Sequence, residues 1–505
     1  MKYLTYPLLF LLLLSHSSQG QESSTERPNI LLIVAEDMGR DINPYRDMPF
    51  ATPGLDALAD RGVVFTNAYA AAPSCSSSRA SLFTGLMPHA NGQIGLVGRG
   101  SSIRPGLATF VDALRQLGYF TSATYKLHVD PAPKFDTLGT RCCDPIGLVK
   151  DALEAIEYAS KESMPWFVML NLWDTHSAKK DNALKRKNYW KHQLEGLPAE
   201  PLDSSSVDLP PYFSGTLDKA HPNLVENVAG YYNAIRRVDH SIASVLQALD
   251  AKTLSKKTII VFTTDHGPIF PRGKQMVYEL GVHVPLIIVS PEAKPATQNA
   301  SLVSLIDLMP TLIDFAGGET PTLPEARSLT PTLRGDGISR QYVAAQFFQH
   351  WAPGDFFPSY TIRDAQYKLI YNPHPELRRP WQELSGIPWV DALPHISDEV
   401  FKAAWERALN PPEFELYDLS NDPWEFSDLA KNSKYASNLE RLKEALRDWR
   451  TRTHDPFLDP KAMDRLVEVH ARTRKKLRDY PLTESAELEI MSKELTQLIS
   501  AAKIQ

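Results

Sequence analysis

An α/β protein, with a large, mostly parallel sheet covered by helices on both faces and a smaller antiparallel part behind it, is the fold class this sequence predicts. Three observations predict it. Strand-like and helix-like segments alternate through the first two thirds of the chain. The strand-like segments there are continuous apolar runs, the pattern of strands buried on both faces. Beyond about Gly335 the pattern changes to short, aromatic-rich strand candidates separated by turns.

Residues 29–35 (Asn-Ile-Leu-Leu-Ile-Val-Ala) are the first buried strand, and residues 52–61 the helix after it. Residues 75–85 read Cys-Ser-Ser-Ser-Arg-Ala-Ser-Leu-Phe-Thr-Gly. Here Ser78 is the expected cap of a short helix, residues 80–83 its body and Gly85 its stop. That places the Cys75 thiol just before unpaired backbone N–H groups that favour negative charge. A helix over residues 109–117 follows, then a strand over 119–124. Further strands are expected at 166–173, 258–264 and 284–289, and apolar residues recur at helical spacing over 227–249. Residues 177–223 are polar, charged and proline-containing, which marks a surface excursion between core elements. The smaller part has strand candidates at 342–349, 360–363, 367–371 and 413–417, then a helix over 438–451. The charged helical segment 460–505 reads as a solvated face.

With 505 residues, 43% of them hydrophobic, the chain can bury a large core and fill two domains. A net charge of −6 argues against nucleic acid or an anionic membrane surface as partner, so any basic site is local. Met1-Lys2-Tyr3, the apolar run 7–14 and the polar stretch 15–21 have the layout of a secretory signal peptide cleaved near Gly20. It is too short for a membrane span, so the protein is expected to be exported, whether to periplasm, extracellular space or lysosome. Of three cysteines, Cys142 and Cys143 are adjacent, which excludes a disulfide framework and leaves Cys75 for another purpose. The expected division is a signal peptide over 1–20, a catalytic α/β part over 24–335, a smaller α+β part over 336–456 and a helical extension over 457–505.

Polar residues gather where the strands end. The first ends in Glu36-Asp37, the next in Lys126 and His128, the third in Asp174 and His176, the fourth in Asp265-His266-Gly267. In open parallel sheets the crevice outside the carboxyl ends of the strands is where ligands bind. Glu36, Asp37 and Asp265 offer hard oxygen ligands suited to Ca²⁺ or Mg²⁺, and no Cys/His cluster points to structural zinc. Arg79, Lys126 and Lys274 add cations, which suits a tetrahedral anionic group clamped beside a metal.

Together these residues resemble the type I sulfatases. Residues 75–79 followed by Ala-Ser-Leu-Phe-Thr-Gly are similar to the signature whose cysteine is oxidised to formylglycine. The similarity continues in order through residues 28–37, 118–128, 165–176, 263–274 and 278–289, Asp307-Leu-Met-Pro-Thr311, and the segment from Leu416-Tyr-Asp-Leu to Asp422-Pro. It covers nearly the whole chain after the leader, through about Pro456. Ser77 stands where the family usually has proline, Glu36 where it has the first acid of an Asp-Asp pair, and His266 where many relatives have asparagine. The resemblance implies an alkaline-phosphatase-like sulfatase fold, a sulfated saccharide substrate and a partner enzyme that makes the formylglycine from Cys75. It implies a Ca²⁺ or Mg²⁺ held by Glu36, Asp37, residue 75, Asp265 and His266. It further implies that hydrated formylglycine attacks sulfur while Arg79 and His128 hold it and Lys126 and Lys274 neutralise the sulfate oxygens. His176 is then the donor of the leaving-group proton, and His128 helps the second hydroxyl expel sulfate.

Within the family, four segments resemble the heparan N-sulfatases: residues 265–274, Ser290-Pro-Glu292, Gln349-His350 with Tyr360-Thr-Ile-Arg363, and Thr453-His-Asp-Pro-Phe457. This implies N-sulfoglucosamine of heparin or heparan type as substrate, with Asp174, His350 and Arg363 as sugar-binding residues. Lys274 stands where that subgroup carries arginine and other sulfatases lysine, so an O-sulfatase on another polysaccharide is an alternative. Others are a phosphonate or phosphodiester hydrolase of the same superfamily and, if Cys75 stays a thiol, a non-catalytic glycan-binding protein.

Overall fold

The structure, a computed structural model, describes residues 27–141, 144–176, 197, 199–213, 222–336, 340–350, 356–377, 396–477 and 486–500. The signal peptide over 1–20, the Cys142-Cys143 pair and most of the 177–223 excursion lie outside these described residues.

In chain order the first sheet takes β1 (Asn29–Ala35), β2 (Val63–Tyr69), β3 (Phe120–Thr124), β4 (Thr137–Gly139), β5 (Trp166–Leu172), β6 (Thr258–Thr264), β7 (His283–Val284), β8 (Leu286–Val289) and β9 (Thr297–Ser304). Their spatial order is β4-β3-β5-β1-β6-β8-β2-β7, with β9 also paired to β2. From β4 to β6 every pairing is parallel. β8 runs antiparallel to β6 and to β2, so β2 points the same way as β1. The apolar runs are buried on both faces. Leu31, Ile33 and Ala35 face a core shared with the Pro222–Ala251 helix, while Ile30, Leu32 and Val34 face one shared with Phe83 and Phe110. Each such Ile, Leu, Val or Phe side chain contributes about 1.5–3 kcal/mol by leaving water, so the sheet is held mainly by its two covered faces.

β2, β4 and β9 have no counterpart among the strands expected from sequence. The single strand expected at 284–289 is two, because Pro285 has no N–H to give and interrupts the ladder. The long helix begins at Pro222, ahead of the periodic segment, since proline suits a first helical turn.

The Cys75–Thr84 helix departs from expectation at its start. Cys75 is its first residue, Ser74 precedes it in extended conformation (φ −151°), and the first backbone bond runs from Ser78 N to Ser74 O at 2.9 Å. Ser78 is therefore inside the helix and does not cap it; its hydroxyl donates to the Asp265 carbonyl at 2.5 Å. Gly85 does end the helix, in the left-handed region at φ 68°, with its N–H on Ser81 O at 2.8 Å.

The second sheet is antiparallel, in the order β10 (Val343–Phe347), β11 (Ser359–Arg363), β12 (Tyr367–Tyr371), β13 (Phe414–Asp418). The charged tail is not a solvated face. Met463, Leu466 and Val469 of the Pro460–Leu477 helix, with Met491, Leu495 and Ile499 of the Ala486–Ser500 helix, are buried in the same core as Leu369 and Leu416. Spacings of three and four residues put these few apolar groups on one stripe of each helix, which a high overall charge conceals. The two sheets are joined by buried charge: Glu279 meets Lys368 at 3.0 Å and Arg363 at 3.3 Å, and Lys368 also meets Glu425 at 2.9 Å. Among the described residues, no helix is long and apolar enough to cross a membrane.

Candidate active site

β1, β3, β5 and β6 are parallel and release their chains on one edge of the sheet, which brings Glu36-Asp37, Lys126, His176 and Asp265-His266 into one neighbourhood. β2 ends on the same edge and delivers Cys75 six residues after Tyr69. This strand is a part of the site's scaffold with no counterpart among the expected strands, although Val63-Val64-Phe65 after Gly62 is a usable strand signal.

One donor atom from each of Asp37, Cys75, Asp265 and His266 lies within 4.8 Å of the others, and all four residues are buried. Cys75 Sγ is 3.2 Å from His266 Nε2, which is itself 3.3 Å from Asp37 Oδ1. His266 Nδ1 donates to the Gly267 carbonyl at 2.9 Å, so Nε2 is the nitrogen presented to the cluster. Gly267 is needed there, because a Cβ on it would lie 1.7 Å from the Leu280 carbonyl. The Asp37 amide donates to Asp265 Oδ1 at 3.1 Å, and Asp37 takes up a left-handed φ of 47°.

Glu36, expected beside Asp37 as a ligand, is not among the four donors. Its Oε1 accepts from Arg79 Nη2 at 2.8 Å and its Oε2 pairs with Lys126 Nζ. Arg79 also holds Asp265 through Nε at 3.1 Å, and its Nη1 donates to Lys126 O at 3.0 Å and to Asn171 Oδ1 at 2.7 Å. Asn171 is not among the expected site residues; its signal in the sequence is a lone amide in the apolar run Trp-Phe-Val-Met-Leu-Asn-Leu.

The electrostatics match a site for a cation beside an anion. Burial would lower the His266 pKa, but Asp265, Cys75 and Asp37 outweigh it and bring it up to about 9. A positive charge is thus favoured at this spot, and two carboxylates with an imidazole nitrogen fit Ca²⁺ or Mg²⁺ in its place. Burial would raise the Cys75 thiol, yet Lys126, Lys274 and His266 bring it down to about 5. His128 is pushed down to about 3 by burial and by Lys126. Its Nδ1 is buried without a hydrogen-bond partner among the described residues.

His176 is at the rim, its side chain 22% exposed, with Nε2 3.9 Å from Asp37 Oδ2. His350 reaches the site from the second sheet's side: Nδ1 is 3.0 Å from the hydroxyl of Ser74, and burial, Lys274 and His266 push its pKa well down. The other two expected sugar-binding residues make ion pairs, and Asp174 Oδ2 is buried without a hydrogen-bond partner among the described residues. Asp174 pairs with Arg237 at 3.1 Å, and Arg363 is spent on Glu279 and Tyr69 between the sheets. The Asp307 and Asp455 motifs are structural: Asp307 takes both Nη atoms of Arg340 at 2.7 Å, and Asp455 pairs with Arg450 at 2.6 Å.

Residues 28–318 match the protein-family model described as Sulfatase, and residues 269–376 the one described as N-sulphoglucosamine sulphohydrolase, C-terminal. An ulvan-active sulfatase of Formosa agariphila is 28% identical over 479 residues, covering 85% of this chain and 76% of its own. The N-sulphoglucosamine sulphohydrolase of Homo sapiens is 29% identical over 472 residues, covering 85% of this chain and 91% of its own. A solved 2-O GAG sulfatase superposes with a TM-score of 0.64 at 23% identity, over 86% of this chain and 94% of that one.

Proposed function

The chain belongs to the sulfatase family, has its alkaline-phosphatase-like fold and is a hydrolase of sulfate groups on sugars; from that premise we propose that it cleaves N-sulfoglucosamine in heparin- or heparan-type saccharides. The observation that carries the reading is the convergence of Asp37, Cys75, Asp265 and His266 between Lys126 and Lys274. The preference for an N-sulfated sugar is supported by the match over 269–376, a segment that holds His350.

Residue 75, converted to formylglycine by a maturing enzyme after export, supplies the nucleophilic oxygen, and the position of Sγ stands in for that oxygen. The same cations that lower the thiol stabilise an oxyanion there. Ser77 in place of proline leaves the backbone unchanged, because the third residue of a helix has no intrahelical acceptor for its N–H. Asp37, Asp265, His266 and residue 75 would hold a Ca²⁺, which would supply positive charge beside the sulfo group. Lys126 and Lys274 take the remaining sulfo oxygens. Arg79 and Glu36 form the buttress that holds Asp265 and Lys126 in place. His176 gives its proton to the departing nitrogen at the rim. His128, neutral and with Nδ1 open, accepts the proton released when sulfate leaves.

The test measures sulfate release from N-, 6-O- and 2-O-sulfated glucosamine saccharides and a galactose sulfate, and phosphate release from an ester, alongside mass spectrometry of the peptide holding residue 75. N-sulfated saccharides are expected to be the best substrates, with an aldehyde at residue 75. Cleavage of O-sulfated sugars alone overturns the N-sulfate assignment. Full activity with an unmodified thiol overturns the nucleophile.

A further inference from the structure

We infer that Tyr125, braced by Trp173, is the platform on which the pyranose ring of the substrate rests, and therefore a residue that determines which saccharides are accepted. This rests on the sulfatase reading above. The rings form a continuous path out of the site. Lys126 Nζ lies 4.8 Å over the Trp173 ring, and Trp173 stacks on His176 at 4.3 Å with the planes 29° apart. Trp173 also meets the Tyr125 ring edge to face, at 6.2 Å and 74°. Tyr125 is 38% exposed, unusual for so large a ring beside a buried site.

The position of that ring follows from the chemistry. On that reading Lys126 and Lys274, the cations that lower the Cys75 thiol, draw the sulfo oxygens inward, and His176, 3.9 Å from Asp37 at the rim, faces the leaving atom. The sugar carrying that atom must extend outward past His176, where Trp173 and then Tyr125 stand. An exposed aromatic face suits the apolar C–H face of a pyranose, as aromatic walls with a few polar groups do in ligand sites generally. The backbone supports a functional role as well. Tyr125 is held at φ 39°, in the left-handed region where glycine is unstrained and a bulky side chain is not. Its N–H is fixed on the Gly139 carbonyl at 3.0 Å, which holds the main chain in that conformation while the side chain stays partly exposed.

The strain makes the test discriminating. Tyr125→Gly removes the platform and relieves the backbone, so it is expected to raise KM for sulfated disaccharides about tenfold while Tm holds or rises. Tyr125→Phe keeps the ring and is expected to stay within about twofold of the unaltered protein. Unchanged KM in Tyr125→Gly overturns the platform, and so does a fall in Tm accompanied by loss of kcat alone. Calorimetric binding of an N-sulfated disaccharide to Cys75→Ala protein, with and without Tyr125→Gly, tests the platform apart from turnover. Weaker binding in the double variant supports it, and equal or absent binding in both overturns it. Failure of the unaltered enzyme to release sulfate from any saccharide overturns the proposed function instead, whatever the binding shows.

Discussion

Lys274 Nζ stands 2.7 Å and 2.9 Å from the two carboxylate oxygens of Asp37. The aspartate closes β1 and the lysine comes from the loop after β6, so the pair ties two neighbouring strand ends across the buried site. Burial would lower the lysine's pKa, but Asp37 outweighs it and holds it above the usual value. Removing the lysine leaves the buried Asp37 with mainly His266 to offset its charge, which is costly.

Lys274→Ala is accordingly expected to lower kcat/KM for sulfated saccharides by about 10²–10³-fold, since it also deletes a cation from the sulfo site. Its Tm falls in metal-free protein and recovers more on adding Ca²⁺ than that of the unaltered protein, because the cation replaces the lost charge beside Asp37. Thermal unfolding with and without Ca²⁺ reads this directly. The same Ca²⁺ response in both proteins counts against it.

Ca²⁺ at about a hundred times its Kd should stabilise the unaltered protein by about 2.7 kcal/mol. Asp37→Asn keeps the shape of the side chain and deletes its charge, so most of that gain disappears along with activity. Chelator-treated protein with undiminished turnover would rule out the cation.

His176→Ala is expected to slow cleavage of N-sulfated sugars at least tenfold more than cleavage of an activated aryl sulfate, whose leaving group needs little protonation. Equal losses on both substrates would assign His176 to binding.

Glu279 links stability to pH away from the catalytic cluster. Burial would raise its carboxyl, but Lys368 and Arg363 overcome that and hold it well below its usual value of 4.5. A depressed carboxylate stabilises the fold fully above the unfolded value and loses that contribution as pH falls below it. Glu279→Gln should therefore cost about 3–5 kcal/mol at pH 7, and the gap to the unaltered protein should narrow steadily on acidification below 4.5. Denaturant unfolding at pH 7 and pH 3 measures both, and a constant gap refutes the linkage.

Leu466 lies in the helical tail yet is fully buried in the second core. Leu466→Ala should cost about 2–5 kcal/mol, as for other buried leucines, where a solvated tail would show almost none. Chemical denaturation decides between them.

Much of the scaffold was legible in the chain itself. The run from Asn29 to Ala35 and that from Thr258 to Thr264 are strands at their expected limits, because continuous apolar residues record burial on both faces. Parallel strands then send Asp37, Lys126, His176 and Asp265 to one edge, and the Cys75 segment announces itself by residue type and spacing. What the chain could not express is which group meets which. Glu36 and Asp37 are adjacent and equally acidic, yet one carboxylate pairs with Arg79 and Lys126 while the other joins Cys75 and His266. Arg363 and His350 both lie in the stretch around the second sheet, yet one is consumed by Glu279 and the other reaches Ser74. The tail's few apolar residues gained meaning only from the sheet they cover. Local periodicity reports how deeply a residue is buried, whereas ion pairs and ligand clusters depend on distances through space between segments as far apart as Asp37 and Lys274. Those distances are set by the packing of whole elements, and only the tertiary structure decides them.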